Sequence, residues 1–166
     1  MSAEDAPSIE ARLRKIEDYI AIQQLITSYG PAADTCAIDE LRTIWSDDPV
    51  YDARSLAYLQ GEEVFEAFGH PLHQSLVAAG SAHTSTMPHI VLDGDSASAT
   101  HYAALYKHVD GNFELIRLIA SRWLLRRTSE GWRVDRRINR LLDGGGEGTA
   151  LLAKVRQPPS PDELVK

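Results

Sequence analysis

The chain has 166 residues, of which 43% are hydrophobic and 25% charged, and its formal net charge is −7. That is the size and balance of one soluble globular domain with a real core, and the acidic balance argues against a nucleic-acid-binding face. The single cysteine, Cys36, excludes an intramolecular disulfide framework and a cysteine-rich zinc site.

No run reaches the roughly 18 apolar residues of a membrane helix, and the acidic N-terminus lacks a signal-peptide apolar core. A cytoplasmic protein with no membrane partner is the expectation.

Apolar side chains at Ile9, Leu13, Ile16, Ile20, Leu25, Ile26 and Tyr29 follow helical spacing. They predict a helix over 8–29, capped by Ser8, with Glu10 suiting the first turn and Gly30-Pro31 as the stop. A second short helix is expected from Ile38 to Trp45, with Ile38, Leu41, Ile44 and Trp45 inward and Asp47-Asp48-Pro49 ending it. Val50 to Ala53 reads as a short strand. Gly61 to Ala79 reads as a helix with Val64, Phe65, Phe68, Leu72 and Leu76 apolar, broken or kinked at Pro71.

The second half changes character. Segments 83–92, 96–108, 113–127 and 132–141 are rich in β-branched and aromatic residues. Asp93-Gly94-Asp95, Asp110-Gly111-Asn112 and Ser129-Glu130-Gly131 separate them as turns. Helices first and a four-strand antiparallel meander after predict an α+β domain over 1–143, with helices on one face of a curved sheet. Gly144-Gly145-Gly146 is expected to end the compact fold. The tail, 144–166, reads as extended, disordered or an arm to a partner subunit.

The ordered landmarks resemble the SnoaL-like branch of the nuclear-transport-factor-2-like (NTF2-like) superfamily. They are Tyr29, Asp34, Ile38-Asp39-Glu40-Leu41, Trp45-Ser46-Asp47-Asp48, Tyr51-Asp52 and Gly61-Glu62-Glu63-Val64. His83 follows, ten residues before Asp93-Gly94-Asp95, and Gly131-Trp132-Arg133-Val134 and Arg137 close the series. The resemblance covers roughly 9–142 and implies a cone-shaped α+β barrel. It also implies that Asp34 and His83 correspond to the catalytic dyad of scytalone dehydratase, bile-acid dehydratases and lindane dehydrochlorinase. Arg137 then matches a pocket arginine of the dehydrochlorinase type, and His108 a second pocket histidine of the scytalone dehydratase type. Ala33 replaces the tyrosine before the scytalone dehydratase aspartate, and Ser121 stands at its pocket asparagine, so the substrate is not expected to be scytalone.

Taken alone, each residue has a plainer alternative. His83 is a structural histidine or a base, and Asp34 a helix cap or the partner that orients it. His108 ends its strand beside a turn, so it is solvated or else shares a pocket face with Tyr102, Ala104 and Tyr106. Arg137 lies in a basic run and is solvated or holds an anionic oxygen. Tyr29 and Tyr51 are pocket donors or core. His83 and His89 would share a face of an uninterrupted strand, but two ligands do not make a metal site, so no metal is expected. His70-Pro71-Leu72-His73 reads as a surface feature, and Cys36 has no neighbouring base. The glycine run opens no βα unit, so no cofactor is expected either.

The resemblance implies a cofactor-independent lyase of dehydratase type, acting on a small hydrophobic or polycyclic hydroxy-carbonyl compound. His83 would be the base, and Asp34 its orienter. Tyr29, Tyr51, Tyr106, His108, Ser121 and Arg137 would bind substrate. The alternatives are an isomerase or polyketide-type cyclase, or a non-catalytic ligand-binding or dioxygenase β-subunit-like module. A homodimer or homotrimer is expected, because a convex sheet face carrying Trp123, Leu124 or Leu125 needs a cover.

Overall fold

The computed structural model describes residues 7–54 and 56–164. Helix α1 (Ile9–Asp34) is followed by α2 (Ile38–Ile44), β1 (Trp45–Asp52), β2 (Tyr58–Gln60), α3 (Glu63–Gly69) and α4 (Pro71–Ala78). Strands β3 (Ser81–Ser85), β4 (His89–Asp93), β5 (Ser96–Val109), β6 (Asn112–Thr128) and β7 (Gly131–Leu141) come next, and α5 (Glu147–Leu152) and α6 (Pro161–Leu164) close the chain. The sheet order is β2-β1-β7-β6-β5-β3, with β4 also paired to β5. This is the expected α+β architecture, helices against a curved, unclosed sheet.

The sheet is mixed rather than a pure meander. β1 lies parallel to β7, and the remaining pairs are antiparallel. The β5–β6 hairpin turns on Asp110 and Gly111, both at positive φ (48° and 83°), between the paired Val109 and Asn112. Two positive-φ residues fit the right-handed twist of the flanking strands, which is why Asp-Gly stands there.

Three boundaries differ from the sequence reading. Helix α1 is capped by Ser8, whose hydroxyl accepts from Ala11 N–H, but it runs through Gly30-Pro31 to Asp34. Proline removes one backbone donor, yet Tyr29, Ala32 and Ala33 around it are buried, and that packing outweighs the local break. β1 starts already at Trp45. It passes through Asp47-Asp48-Pro49 at a register irregularity between Trp45 and Val50, where a proline costs no ladder bond. The predicted strand 83–92 is two strands, interrupted at 86–88, so His83 and His89 do not share one strand.

The core lies between α1–α3 and the concave sheet face, built from Ile22, Ile26, Leu41, Trp45, Phe65, Trp123, Leu125, Trp132 and Val134. Of the predicted apolar stripe on α1, Ile9, Leu13, Ile16 and Ile20 are exposed, and the inward turn begins near Asp18 and Ile22. Asp18 is held by Arg127 at 2.6 Å and by Trp132 Nε1–H at 3.0 Å.

The tail corrects a second expectation. Trp123 and Leu125 face the concave core, and Leu124 is buried on the convex side with Ala120, Ile138 and Leu151 of α5. The chain's own C-terminal segment thus covers Leu124, while Tyr102, Tyr106, Ile116 and Leu118 remain exposed. Gly144-Gly145-Gly146 is a turn into that cover. Ser98 Oγ donates to Gln157 O at 2.8 Å, so the Pro-rich stretch is laid on the sheet.

Candidate functional site

Asp34 ends α1, one helical turn beyond Gly30. A Cβ on Gly30 would lie 2.4 Å from the carbonyl oxygen of His83, so only glycine lets β3 cross α1 this closely. The crossing brings the Asp34 carboxylate onto β3. Its Oδ2 accepts from the His83 backbone N–H at 2.7 Å, and its Oδ1 accepts from Ser81 Oγ at 3.1 Å and from His83 Nδ1 at 2.7 Å. Asp34 does not cap α2, whose N-cap position is Ala37.

A carboxylate only accepts, so Nδ1 carries the ring proton and Nε2 is left with a lone pair. Nε2 has no hydrogen-bond partner among the described residues. Burial holds the His83 pKa below the ordinary imidazole value; the hydrogen bond and charge of Asp34 oppose this, while Arg137 and His73 add to the lowering. The lowering favours the neutral ring, the form a general base needs.

His83 borders a cavity of two adjoining compartments. The inner one, about 50 Å³, is lined by Tyr29, Tyr51, His83, His101, Trp123 and Arg137, with Ala103, Leu105 and Ile119 as apolar wall. The outer one, about 170 Å³, shares Tyr29, Tyr51 and His83 and adds Leu59, Val64, Phe68, His73 and Leu76. Arg117 lines both.

Arg137 is 5% exposed. Its Nε donates to Ser121 Oγ at 3.1 Å, and its guanidinium carbon lies 4.3 Å from the ring centres of both Tyr29 and Trp123 and 5.8 Å from that of Tyr51. Aromatic faces attract a cation without neutralising it. Tyr29 has its pKa raised to about 12, burial being the main cause and the Arg137 charge opposing it, so its hydroxyl stays protonated.

The structure sorts the remaining candidates. Ser121 is fully buried behind Arg137, where it orients the guanidinium instead of lining the cavity. Tyr106 and His108 lie outside it, with His108 exposed against the Phe113 ring at 5.3 Å. The alternation of β5 has the opposite parity to the one expected: His101, Ala103 and Leu105 line the cavity, while Tyr102 and Tyr106 are exposed. Which face of a strand is inward is set by its partners, and a one-residue change of register reverses it.

Three cavity residues escaped the sequence reading. His101 accepts from Trp123 Nε1–H at 2.7 Å and donates through Nδ1 to Tyr102 O at 3.1 Å. Both nitrogens are engaged, and burial with the nearby Arg137 charge pushes its pKa down to about 3, so it is a wall and not a base. His73 is no surface feature: it donates through Nε2 to Ala33 O at 2.9 Å and its ring lies 5.9 Å from that of His83. Arg117 is the third. Its spacing of two and six from Ile119 and Trp123 is the signal that marks the shared face. Among the described residues, no three His, Cys, Asp or Glu side chains converge as a metal site. No helix there is long and apolar enough to cross a membrane.

A model of the SnoaL-like domain matches residues 14–138. An NTF2-like protein with a cystatin-like fold from Novosphingobium aromaticivorans is 36% identical. It aligns over 91% of this chain and 99% of its own, with a TM-score of 0.86. A candidate aromatic ring hydroxylase from the same species is 27% identical over 76% of this chain and 90% of its own (TM-score 0.58). A candidate dehydratase of the NTF2-like family from Streptomyces avermitilis shares the fold at 16% identity, over 77% and 98% of the two chains, with a TM-score of 0.63. No curated protein matches the chain significantly. A family match over most of the chain, together with an NTF2-like relative aligned along nearly its whole length, leaves one assignment: the chain belongs to the SnoaL-like domain family of the NTF2-like superfamily.

Proposed function

We propose that this chain is a cofactor-independent lyase that removes water from a small hydrophobic hydroxy-carbonyl compound. One observation carries the reading: a histidine oriented through Nδ1 by a half-buried carboxylate, with Nε2 left over, borders a cavity that also holds a guanidinium with no carboxylate partner. His83 Nε2 takes the proton from the carbon next to the substrate carbonyl. The electron pair moves onto the carbonyl oxygen, and Arg137 stabilises that enolate. The enolate then collapses to a carbon–carbon double bond and expels the β-hydroxyl. The proton on Nε2 goes to the leaving oxygen, so water departs and His83 returns to its neutral state. Asp34 stabilises the transient imidazolium and holds the tautomer.

The SnoaL-like family contains enzymes, and the candidate dehydratase shares this fold. An isomerase would begin with the same proton transfer and return the proton to another carbon. The cavity beside the dyad speaks against a structural module with a filled cone, such as a dioxygenase β-subunit-like one.

The test is turnover of a panel of β-hydroxy-carbonyl compounds, followed by absorbance of the conjugated product. His83→Ala and Asp34→Asn should each lower kcat by about 10²–10⁴-fold while circular dichroism stays that of the parent. The double variant should be little worse than the worse single one, because the two residues act as a unit. A folded His83→Ala protein that keeps near-parental kcat would overturn the mechanism.

A further inference from the structure

The body of the protein treats its arginines consistently. Among the described arginines that are not exposed, Arg122, Arg127, Arg133, Arg136 and Arg140 each have a carboxylate within ion-pairing distance. The two exceptions are Arg117 and Arg137, and both line the cavity. Arg137 has a role in the chemistry proposed above, and Arg117 has none.

The position of Arg117 is built. Leu105 pairs with Arg117 and Tyr106 with Leu115, so Ile116 is an extra residue in β6. Alternation from Arg117 to Trp123 is regular, so Arg117 falls on the face of Ile119 and Trp123, in two cavity compartments at once, while the bulge breaks the alternation just before it and turns Leu115 off that face. It also borders the open groove outside, with Leu56, Ala57, His70 and Leu72. It therefore stands at the mouth of the cavity. Glu63 and Glu66 line the same outer groove, and neither pairs with it; Glu63 instead accepts from Gln60 N–H at 3.3 Å.

A half-buried guanidinium beside apolar walls, left without an internal anion, is most stable when a ligand brings one. We propose that Arg117 is a specificity-determining residue that binds a carboxylate on the substrate, so that the substrate class is a hydrophobic carboxylic acid whose acid group stays at the cavity mouth. The apolar part then lies between Leu59, Val64 and Phe68, with the reacting carbon reaching inward to His83. The two guanidiniums divide the work: Arg117 holds a charge present throughout, while Arg137 meets one that develops. This rests on the cavity being a substrate site, but not on which reaction occurs there.

Binding alone tests it, with no substrate in hand. trans-Cinnamate and cinnamamide have the same shape and differ in the anionic group. Isothermal titration at low ionic strength should show the parent protein binding cinnamate about ten-fold or more tighter than the amide. Arg117→Gln should erase that preference and leave cinnamamide affinity unchanged, while Arg117→Lys should keep part of it. His83→Ala should keep the preference whole, which separates this proposal from the elimination mechanism. Equal affinity for acid and amide in the parent, no binding of either at millimolar concentration, or a preference that survives Arg117→Gln would each overturn the assignment. If the preference vanishes with Arg137→Gln and not with Arg117→Gln, the carboxylate site is at Arg137 and the proposal fails.

Discussion

Arg122 and Arg137 are neighbours on adjacent strands, yet they live in opposite electrostatic worlds. Arg122 pairs in register with Ile138, and Trp123 with Arg137, so the two arginines point to opposite faces of the sheet. Both are buried. On the convex face Arg122 is saturated: Glu163 takes two of its bonds at 3.0 and 3.2 Å, Thr100 Oγ1 accepts at 3.2 Å, and the carbonyls of Lys154, Gln157 and Pro158 accept at 3.0 Å. On the concave face Arg137 has a serine hydroxyl and aromatic rings. A buried cation whose every donor is used ties elements together. One left without an anion is held ready for something that arrives. The comparison separates the face that holds the C-terminal segment from the face that lines the cavity.

The largest expected effect lies on the convex side. Arg122→Met leaves buried Glu163 with only Lys154 at 3.1 Å and Ser160, strips Thr100 and three tail carbonyls of their donor, and should cost about 3–5 kcal/mol of unfolding free energy by urea titration. Adding Glu163→Gln should recover part of that loss, since the buried carboxylate left with only one cation is removed. An Arg122→Met protein as stable as its parent would break the comparison.

Arg137→Met should do the reverse. Removing a cation with no carboxylate partner should leave stability within about 1 kcal/mol of the parent, or raise it. Turnover should fall about 10²–10³-fold, the scale of a lost oxyanion donor. If Arg137→Met instead unfolds as readily as Arg122→Met, Arg137 is a structural residue.

The smallest effect, and the sharpest, is the separation of two pH dependences. Burial alone would raise the Glu163 pKa, but hydrogen bonds from Arg122, Lys154 and Ser160 hold it below the ordinary glutamate value. A depressed carboxylate pKa contributes stability above the unfolded-state value, near 4.5, and that stability is lost as pH falls through the folded value. The melting temperature of Glu163→Gln should therefore fall less steeply in that acid range than that of the parent. Activity should follow His83 instead. Because burial lowers its pKa, kcat/KM should decline with falling pH at an inflection below the usual ~6.5, while the fold is still intact. Coincident loss of activity and structure on acidification would mean that one group governs both.

Much of the scaffold was legible because it rests on local chemistry. Ser8 caps α1 as its hydroxyl allows, His70-Pro71 divides α3 from α4, and Asp110-Gly111 makes the hairpin that its positive φ angles require. The pairing of Asp34 with His83 came from the order of landmarks resembling a known family; no spacing rule joins residues 49 positions apart. His73 was invisible for a related reason: a histidine in a short helix looks solvated until another helix supplies its partner, here Ala33 O of α1. Arg117 carried a signal, its alternation with Ile119 and Trp123, but an arginine in a strand looks solvated until the inward face is known.

The sequence by itself determined most of the helices and strands between residues 9 and 141 and where most of their turns fall. Those properties follow from short-range constraints: side-chain period, capping, and the φ angles of glycine and proline. The tertiary structure alone decided that α1 would run past Pro31, that β5 would turn His101 inward and His108 out, and that residues 147–164 would cover the convex sheet. In each case a local preference worth a few kcal/mol at most competes with burial summed over many contacts, and the summed term prevails. The same long-range closure, with Gly30 against the backbone of His83, is what turns two ordinary residues into a dyad.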